Sequence, residues 1–168
     1  ICFIGKRKFN KFLSHYLPAQ PGEIRTPDGD YLGTHSGLMY YTLGQRKGIG
    51  IGGRKQAAEM PWYVVDKDVM SNTLIVTQGH DHPLLYSPAL SADALQWVEG
   101  TAPDMPLHCQ AKTRYRQSGQ NCILSRNGDN CYVVEFEQAQ RAVTPGQSVV
   151  FYQDDVCLGG GVIQRTLR

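Results

Sequence analysis

Cys122-Ile123-Leu124-Ser125-Arg126-Asn127-Gly128-Asp129-Asn130-Cys131-Tyr132-Val133-Val134-Glu135-Phe136-Glu137 is two β-branched and aromatic runs around a turn. Asn-Gly between such runs is a strong short-range hairpin signal, because both residues tolerate the positive φ that tight hairpin turns require. Working outward, Ala94–Val98, Leu107–Arg116, Ser148–Gln153 and Val156–Arg165 are further short runs separated by turn residues. Several short strands at this spacing predict a barrel or a sandwich.

The same texture continues upstream. Glu23-Ile24-Arg25-Thr26 and Tyr31-Leu32-Gly33-Thr34 flank Pro27-Asp28-Gly29-Asp30, in which proline presets one torsion and glycine supplies a positive one. Trp62-Tyr63-Val64-Val65-Asp66 and Thr73-Leu74-Ile75-Val76-Thr77 form a second pair, turned through Ser71-Asn72. Only the start differs: Phe9, Phe12, Leu13, Tyr16 and Leu17 follow helical spacing, and Pro18 ends the pattern. The prolines of His80-Asp81-His82-Pro83 and Ser87-Pro88 leave little room for a continuing strand, which places a domain break near residue 86. The expected fold is mainly β. A cysteine loop and short helix occupy 1–20, a small central β domain 21–86, and an antiparallel barrel 87–168.

Composition narrows the function classes. An apolar fraction of 41% suffices for a core, while no apolar run approaches the roughly 20 residues of a membrane helix. The five cysteines, at 2, 109, 122, 131 and 157, include no Cys-x-x-Cys pair. An odd count without that spacing argues against a disulfide framework and a zinc ribbon, and points to free thiols in the cytoplasm. Cys109, Cys122, Cys131 and Cys157 are expected in the core or half-buried. The formal charge of +2 conceals an asymmetry: residues 1–55 hold nine Lys/Arg against three Asp/Glu, and 56–111 hold one against seven. A basic first third suggests a face prepared for a polyanion.

Five candidate sites follow. Gly48-Ile49-Gly50-Ile51-Gly52-Gly53 formally satisfies a dinucleotide fingerprint, but Pro61 follows too soon for a βαβ unit, so a turned loop is the better expectation. His80, Asp81 and His82 lack further ligands at short spacing and read as a surface turn; no metal is expected. His35 stands with Thr42, Gln45, Arg46 and Lys47 in a polar patch suited equally to phosphate binding or to positioning a loop. Lys112-Thr113-Arg114-Tyr115-Arg116-Gln117, on a predicted strand, would put Lys112, Arg114 and Arg116 on one face and Tyr115 on the other; cations and a stacking ring suit RNA, and a solvated strand face explains them as well. Cys2, in Ile1-Cys2-Phe3-Ile4-Gly5 just before the predicted helix and near Lys6, Arg7 and Lys8, is either a buried cysteine or a thiolate stabilised by cations and backbone N–H groups.

Ile1-Cys2-Phe3-Ile4-Gly5, Leu17-Pro18-Ala19-Gln20-Pro21-Gly22, and Gly37-Leu38-Met39-Tyr40-Tyr41-Thr42-Leu43-Gly44-Gln45-Arg46-Lys47-Gly48 together resemble the bacterial tRNA-specific 2-thiouridylases. The resemblance extends through Ala111–Arg116 and Thr144-Pro145-Gly146-Gln147-Ser148 to Cys157-Leu158-Gly159-Gly160-Gly161, covering essentially the whole chain in order. It implies an enzyme that uses ATP to adenylate C2 of the tRNA wobble uridine and a cysteine persulfide to deliver sulfur there. Cys2 matches the persulfide cysteine, which receives sulfur from a relay protein and is thought to form a disulfide afterwards with a second cysteine upstream. Arg114, Tyr115 and Gln147 match tRNA-contacting positions, while His35, Gln45, Arg46 and Lys47 are candidates for positioning tRNA or the cysteine loop. The family's ATP-binding domain, with its Ser-Gly-Gly-x-Asp-Ser loop, has no counterpart in these residues. The resemblance thus implies a monomeric C-terminal fragment, inactive alone, whose barrel is similar to that of a translation elongation factor. The alternative is a non-catalytic RNA-binding barrel in which Cys2 is incidental.

Overall fold

The computed structural model describes residues 19–51 and 60–167 and is built almost entirely of strands. Cys2 and the predicted helix lie outside the described residues. The chain divides between Leu85 and Tyr86 into two compact units.

In the first unit, β1 (Gly22–Arg25) and β2 (Tyr31–His35) form the hairpin expected around Pro27–Asp30. β3 (Trp62–Asp68) and β4 (Thr73–Gln78) form the second, turned through Asn72 at φ 52°. Parallel pairing of Glu23, Ile24 and Arg25 with Thr73, Leu74 and Ile75 joins them in the order β2-β1-β4-β3. Period-two patterning aims Ile24, Val64, Leu74 and Val76 into one core, which Tyr40, Tyr41 and Ile49 complete from the intervening loop. Ile49 is the buried centre of the described part of the glycine run, which forms a loop and no βαβ unit. Lys67, half withdrawn from solvent, donates from Nζ to Tyr41 O at 3.0 Å, and burial holds its pKa below the usual lysine value.

The second unit is a closed barrel in the order β10-β5-β8-β7-β6-β9. Its strands are β5 (Tyr86–Trp97), β6 (Leu107–Lys112), β7 (Gln120–Arg126), β8 (Cys131–Arg141), β9 (Ser148–Gln153) and β10 (Val156–Leu167). All six pairings are antiparallel. Leu90, Leu124, Val134, Val149, Phe151 and Ile163 fill the interior, and Trp97 stacks on Phe151 with centroids 6.2 Å apart.

Two expectations need correction here. Ser87-Pro88 does not stop a strand: both lie inside β5, and the register against β8 breaks between Ser87 and Ala89. A proline has no N–H to give a ladder, and a bulge is where a strand can accept that loss. Cys157 is exposed instead of being core or half-buried.

Barrel closure also requires backbone approach at β10. A Cβ on Gly160 would lie 2.5 Å from Val149 O and 3.3 Å from Val150 Cα, both in the backbone of β9. Gly160→Ala must push β9 and β10 apart, with an expected cost of about 1–3 kcal/mol. Urea denaturation in a Trp62→Phe background, followed by the fluorescence of Trp97, measures it, and an unchanged midpoint would contradict the close approach.

Candidate nucleic-acid interface

β6 ends at Lys112, so Arg114, Tyr115 and Arg116 do not continue a strand as the alternation predicts. A competing set of local hydrogen bonds explains the difference. The Thr113 backbone N–H and hydroxyl both donate to Gln117 Oε1, at 3.2 and 3.0 Å, and the Gln117 backbone N–H donates to Arg114 O at 3.1 Å. Side-chain capture of backbone groups offers the chain an alternative to the ladder, and here it closes a turn.

That turn is tied to the barrel through side-chain amides that centre on the buried Gln140. Gln117 Nε2 donates to Gln140 Oε1 at 2.7 Å, and Gln140 Nε2 donates to Gln138 O at 2.6 Å and Gln120 Oε1 at 3.3 Å. Gln140 is only 5% exposed, and its carboxamide is tolerated inside because both ends are bonded. Arg114 adds a second tie, donating from Nη2 to Ala142 O at 3.0 Å. With one of five N–H donors so used, the guanidinium is oriented rather than loosely tethered. Tyr115, at the tip, is 98% exposed.

The opposing wall is the connection from β8 to β9. Thr144-Pro145-Gly146-Gln147 is a β-turn in which the Gln147 N–H donates to Thr144 O at 3.2 Å. Proline sits where φ is preset, and Gly146 takes the positive φ of 81° that the third position demands. The Gly146 N–H donates to Ile163 O and the Ile163 N–H donates to Gln147 O, at 2.7 and 2.8 Å, which pins the turn to β10 and leaves Gln147 exposed.

Between the two turns runs an open groove of about 700 Å³ lined by Lys112, Arg114, Tyr115, Gln147, Ser148 and Tyr152, among others. Lys112 Nζ stands 4.6 Å from the centroid of the Tyr152 ring, a cation–π geometry. The structure thus brings Arg114, Tyr115 and Gln147 to one groove although they come from separate turns. Lys112 and Tyr152 belong to it as well. The alternation of Val149 and Phe151 inward puts Tyr152 outward, so that signal is present in the sequence; its neighbour Lys112 depends on the β6–β9 register.

His35, Gln45, Arg46 and Lys47 belong to the first unit and do not form one surface patch. His35 is 2% exposed: its Nδ1 accepts from the Gly37 N–H at 3.0 Å, and its Nε2 donates to Asn72 O at 3.1 Å. Its ring meets Tyr41 edge to face at 5.9 Å. Gln45 fastens its own loop, accepting from the Thr42 N–H at 3.0 Å and donating to Lys47 O at 2.9 Å. Backbone bonds from the Gly44 N–H to Val64 O and from the Val64 N–H to Gln45 O dock that loop on β3, and Arg46 and Lys47 stay exposed. His80 and Asp81 pair at 2.7 Å on an exposed turn. Among the described residues no cluster of three His, Cys, Asp or Glu could hold a metal, and no helix is long and apolar enough to cross a membrane.

A family model described as a tRNA methyl transferase PRC-barrel domain matches residues 10–78, and one described as an aminomethyltransferase β-barrel domain matches residues 87–163. The fold therefore belongs with domains of the tRNA-modifying class. The chain is 62% identical over its whole length to the tRNA-specific 2-thiouridylase MnmA of Methylococcus capsulatus, covering 46% of that protein. Over 97% of its length it is 58% identical to the protein of the same name from Coxiella burnetii and 60% identical to that of Francisella tularensis, covering 44% and 45% of them. The chain belongs to the tRNA-specific 2-thiouridylase family, as a C-terminal portion. It spans about half the length of the curated relatives it matches.

Replacing Gln140 by leucine strips Gln117 Nε2 of a buried acceptor, and the expected loss of stability is about 1–3 kcal/mol. Amide exchange at Thr113 and Gln117 should accelerate by a larger factor than exchange in β10. Equal acceleration everywhere would show that the amide supports the barrel generally and not the turn.

Proposed function

We propose that this chain is the part of a tRNA 2-thiouridylase that grips tRNA through the barrel groove and supplies the persulfide cysteine, Cys2. The single observation that carries the tRNA reading is the meeting of Arg114, Tyr115 and Gln147 at one groove, the first two on the turn tied by the Gln117–Gln140 bond and the third on the turn pinned to β10. An oriented guanidinium and Lys112 suit phosphate oxygens, an exposed tyrosine offers a stacking plane, and a rim amide can read a base edge or the backbone. His35 and Gln45 act indirectly in this scheme, by holding the loop that presents Arg46 and Lys47.

Cys2 lies outside the described residues, and its role rests on the family. As a thiolate it would attack the sulfane sulfur of a relay-protein persulfide, releasing the donor's thiolate and becoming a persulfide itself. The terminal sulfur then attacks C2 of the adenylated wobble uridine and expels AMP, and the thiolate of the family's second, upstream cysteine attacks Cys2 Sγ, breaking the S–S bond, forming a disulfide with Cys2 and leaving the sulfur on the uridine. The described part of the glycine run buries Ile49 in a loop that no strand leads into, which does not fit a dinucleotide fingerprint. Following the family, this reading assigns activation by ATP to another part of the whole enzyme, which works as a cytoplasmic monomer with tRNA and the sulfur donor as partners.

In the whole enzyme, Tyr115→Ala should weaken tRNA binding by about 1–3 kcal/mol, the usual worth of one base–aromatic stack, with little change in salt dependence. Arg114→Ala should lower the slope of log affinity against log salt by about 0.7–0.9, the signature of one lost phosphate contact. Filter binding over a salt series separates the two, and wild-type behaviour of both variants would refute the groove as the tRNA surface. Cys2→Ser should leave binding intact and abolish 2-thiouridine formation, scored by nucleoside mass spectrometry. Thiolation persisting in that variant would instead favour a binding module in which Cys2 has no chemistry.

A further inference from the structure

Cys109 on β6 and Cys122 on β7 are directly opposed in the antiparallel ladder, and their sulfurs are 3.8 Å apart. Cys122 is 3% exposed within the barrel core, whereas Cys109 is half-buried. An open groove of about 320 Å³, which shares only Tyr152 with the groove of Arg114 and Gln147, reaches the pair past Gln110, Asn121, Glu137 and Asp154. Opposed residues of an antiparallel pair have Cα atoms about 4.5–5.5 Å apart, inside the roughly 4.4–6.8 Å that a disulfide spans. The backbone is already in place, and rotation of the thiols is the motion that remains.

We propose that Cys109 and Cys122 form a redox modification site, a dithiol that closes to an intrachain disulfide by exchange with a low-molecular-weight disulfide. Cys109 is the entry point because it is the more accessible sulfur. The Cys122 thiol, hydrogen-bonded to it, holds the Cys109 pKa below the usual thiol value; the same contact and burial push Cys122 up, so that Cys122 keeps its proton. The Cys109 thiolate attacks one sulfur of the small disulfide, forming a mixed disulfide and expelling a thiolate. Cys122 then passes its proton to that thiolate and attacks Cys109 Sγ, expelling the second thiolate, which takes a proton from solvent. The protein dithiol loses two electrons and two protons, and the small disulfide becomes two thiols. The new bond would clamp β6 to β7 at the foot of the turn that carries Arg114 and Tyr115. Its formation does not depend on the RNA reading.

The test treats the whole enzyme, under native conditions, with glutathione disulfide, followed by acid quench, alkylation and tryptic digestion without reductant. Cleavage after Lys67, Lys112, Arg116 and Arg126 separates the two cysteines into peptides 68–112 and 117–126. The expected product is these peptides joined, two hydrogens lighter than their sum, and separable by reductant. Cys122→Ser should stop at glutathione on Cys109, and Cys109→Ser should leave Cys122 unmodified. Exposed Cys157 serves as an internal control for the reagent. Recovery of Cys109 and Cys122 as alkylated thiols while Cys157 carries glutathione would overturn the proposal, as would a wild-type product that stays at the Cys109 mixed disulfide.

Discussion

Three residue pairs, Gln110 with Tyr152, Ala111 with Phe151 and Lys112 with Val150, join β6 to β9 in the barrel, and the groove lies where it does because of them. The pairing ends at Lys112, the last residue of β6, so the chain leaves the sheet beside the start of β9. The turn that follows must therefore face the Pro145-Gly146 turn that precedes β9. A closed barrel has no free edge to slide along, and buried Ala111 and Phe151 fix which faces point inward. A one-residue slip would bury Lys112 and expose Phe151, so the core enforces the geometry of the rim.

What the ladder positions, the amides hold. An exposed tyrosine and a mobile arginine on an unsupported loop would lose conformational freedom on meeting a ligand, and that loss would subtract from affinity. The chain Thr113–Gln117–Gln140–Gln120 meets much of that cost during folding, because it fixes the turn before any ligand arrives. Neutral amides are well suited to this role, since they can be satisfied in a half-buried setting where an ion pair would face a heavy desolvation penalty. The arrangement leaves charge for the surface and uses polarity without charge underneath.

Much of this is legible from residue order, for reasons of range. Pro27–Asp30 and Asn127–Asn130 declare their hairpins because turn chemistry acts over a few residues. Inward residues such as Leu124 and Val134 are marked by alternation, which is equally local. The parallel joining of β1 to β4 is invisible, since it pairs segments about fifty residues apart through backbone groups that every residue carries. Lys112–Gln117 reads as a strand because its side-chain alternation is genuine, yet one glutamine four residues after a threonine captures the backbone first. The assembly of Arg114, Tyr115 and Gln147 can be anticipated from family resemblance but not from spacing, since Tyr115 and Gln147 lie in turns far apart along the chain. Pro88 misleads in the other direction: its missing donor is a real constraint, satisfied by a bulge instead of a strand end.

Charge illustrates how a count along the chain differs from a gathering of cations in space. Of the nine basic residues in the first 55, the described residues include Arg25, Arg46 and Lys47. Arg25 turns inward to its own hairpin, bonding Glu23 and Gly29 O. The groove that gathers Lys112 and Arg114 lies in the last third, where seven Lys/Arg stand against five Asp/Glu and the balance looks unremarkable. At physiological salt, charges separated by more than about 8 Å are largely screened. A polyanion therefore responds to the cations within reach of its phosphates, not to the sum over a segment. Lys112 beside Tyr152 and Arg114 anchored on Ala142 O are two such cations at one groove, and their placement is a product of the β6–β9 register.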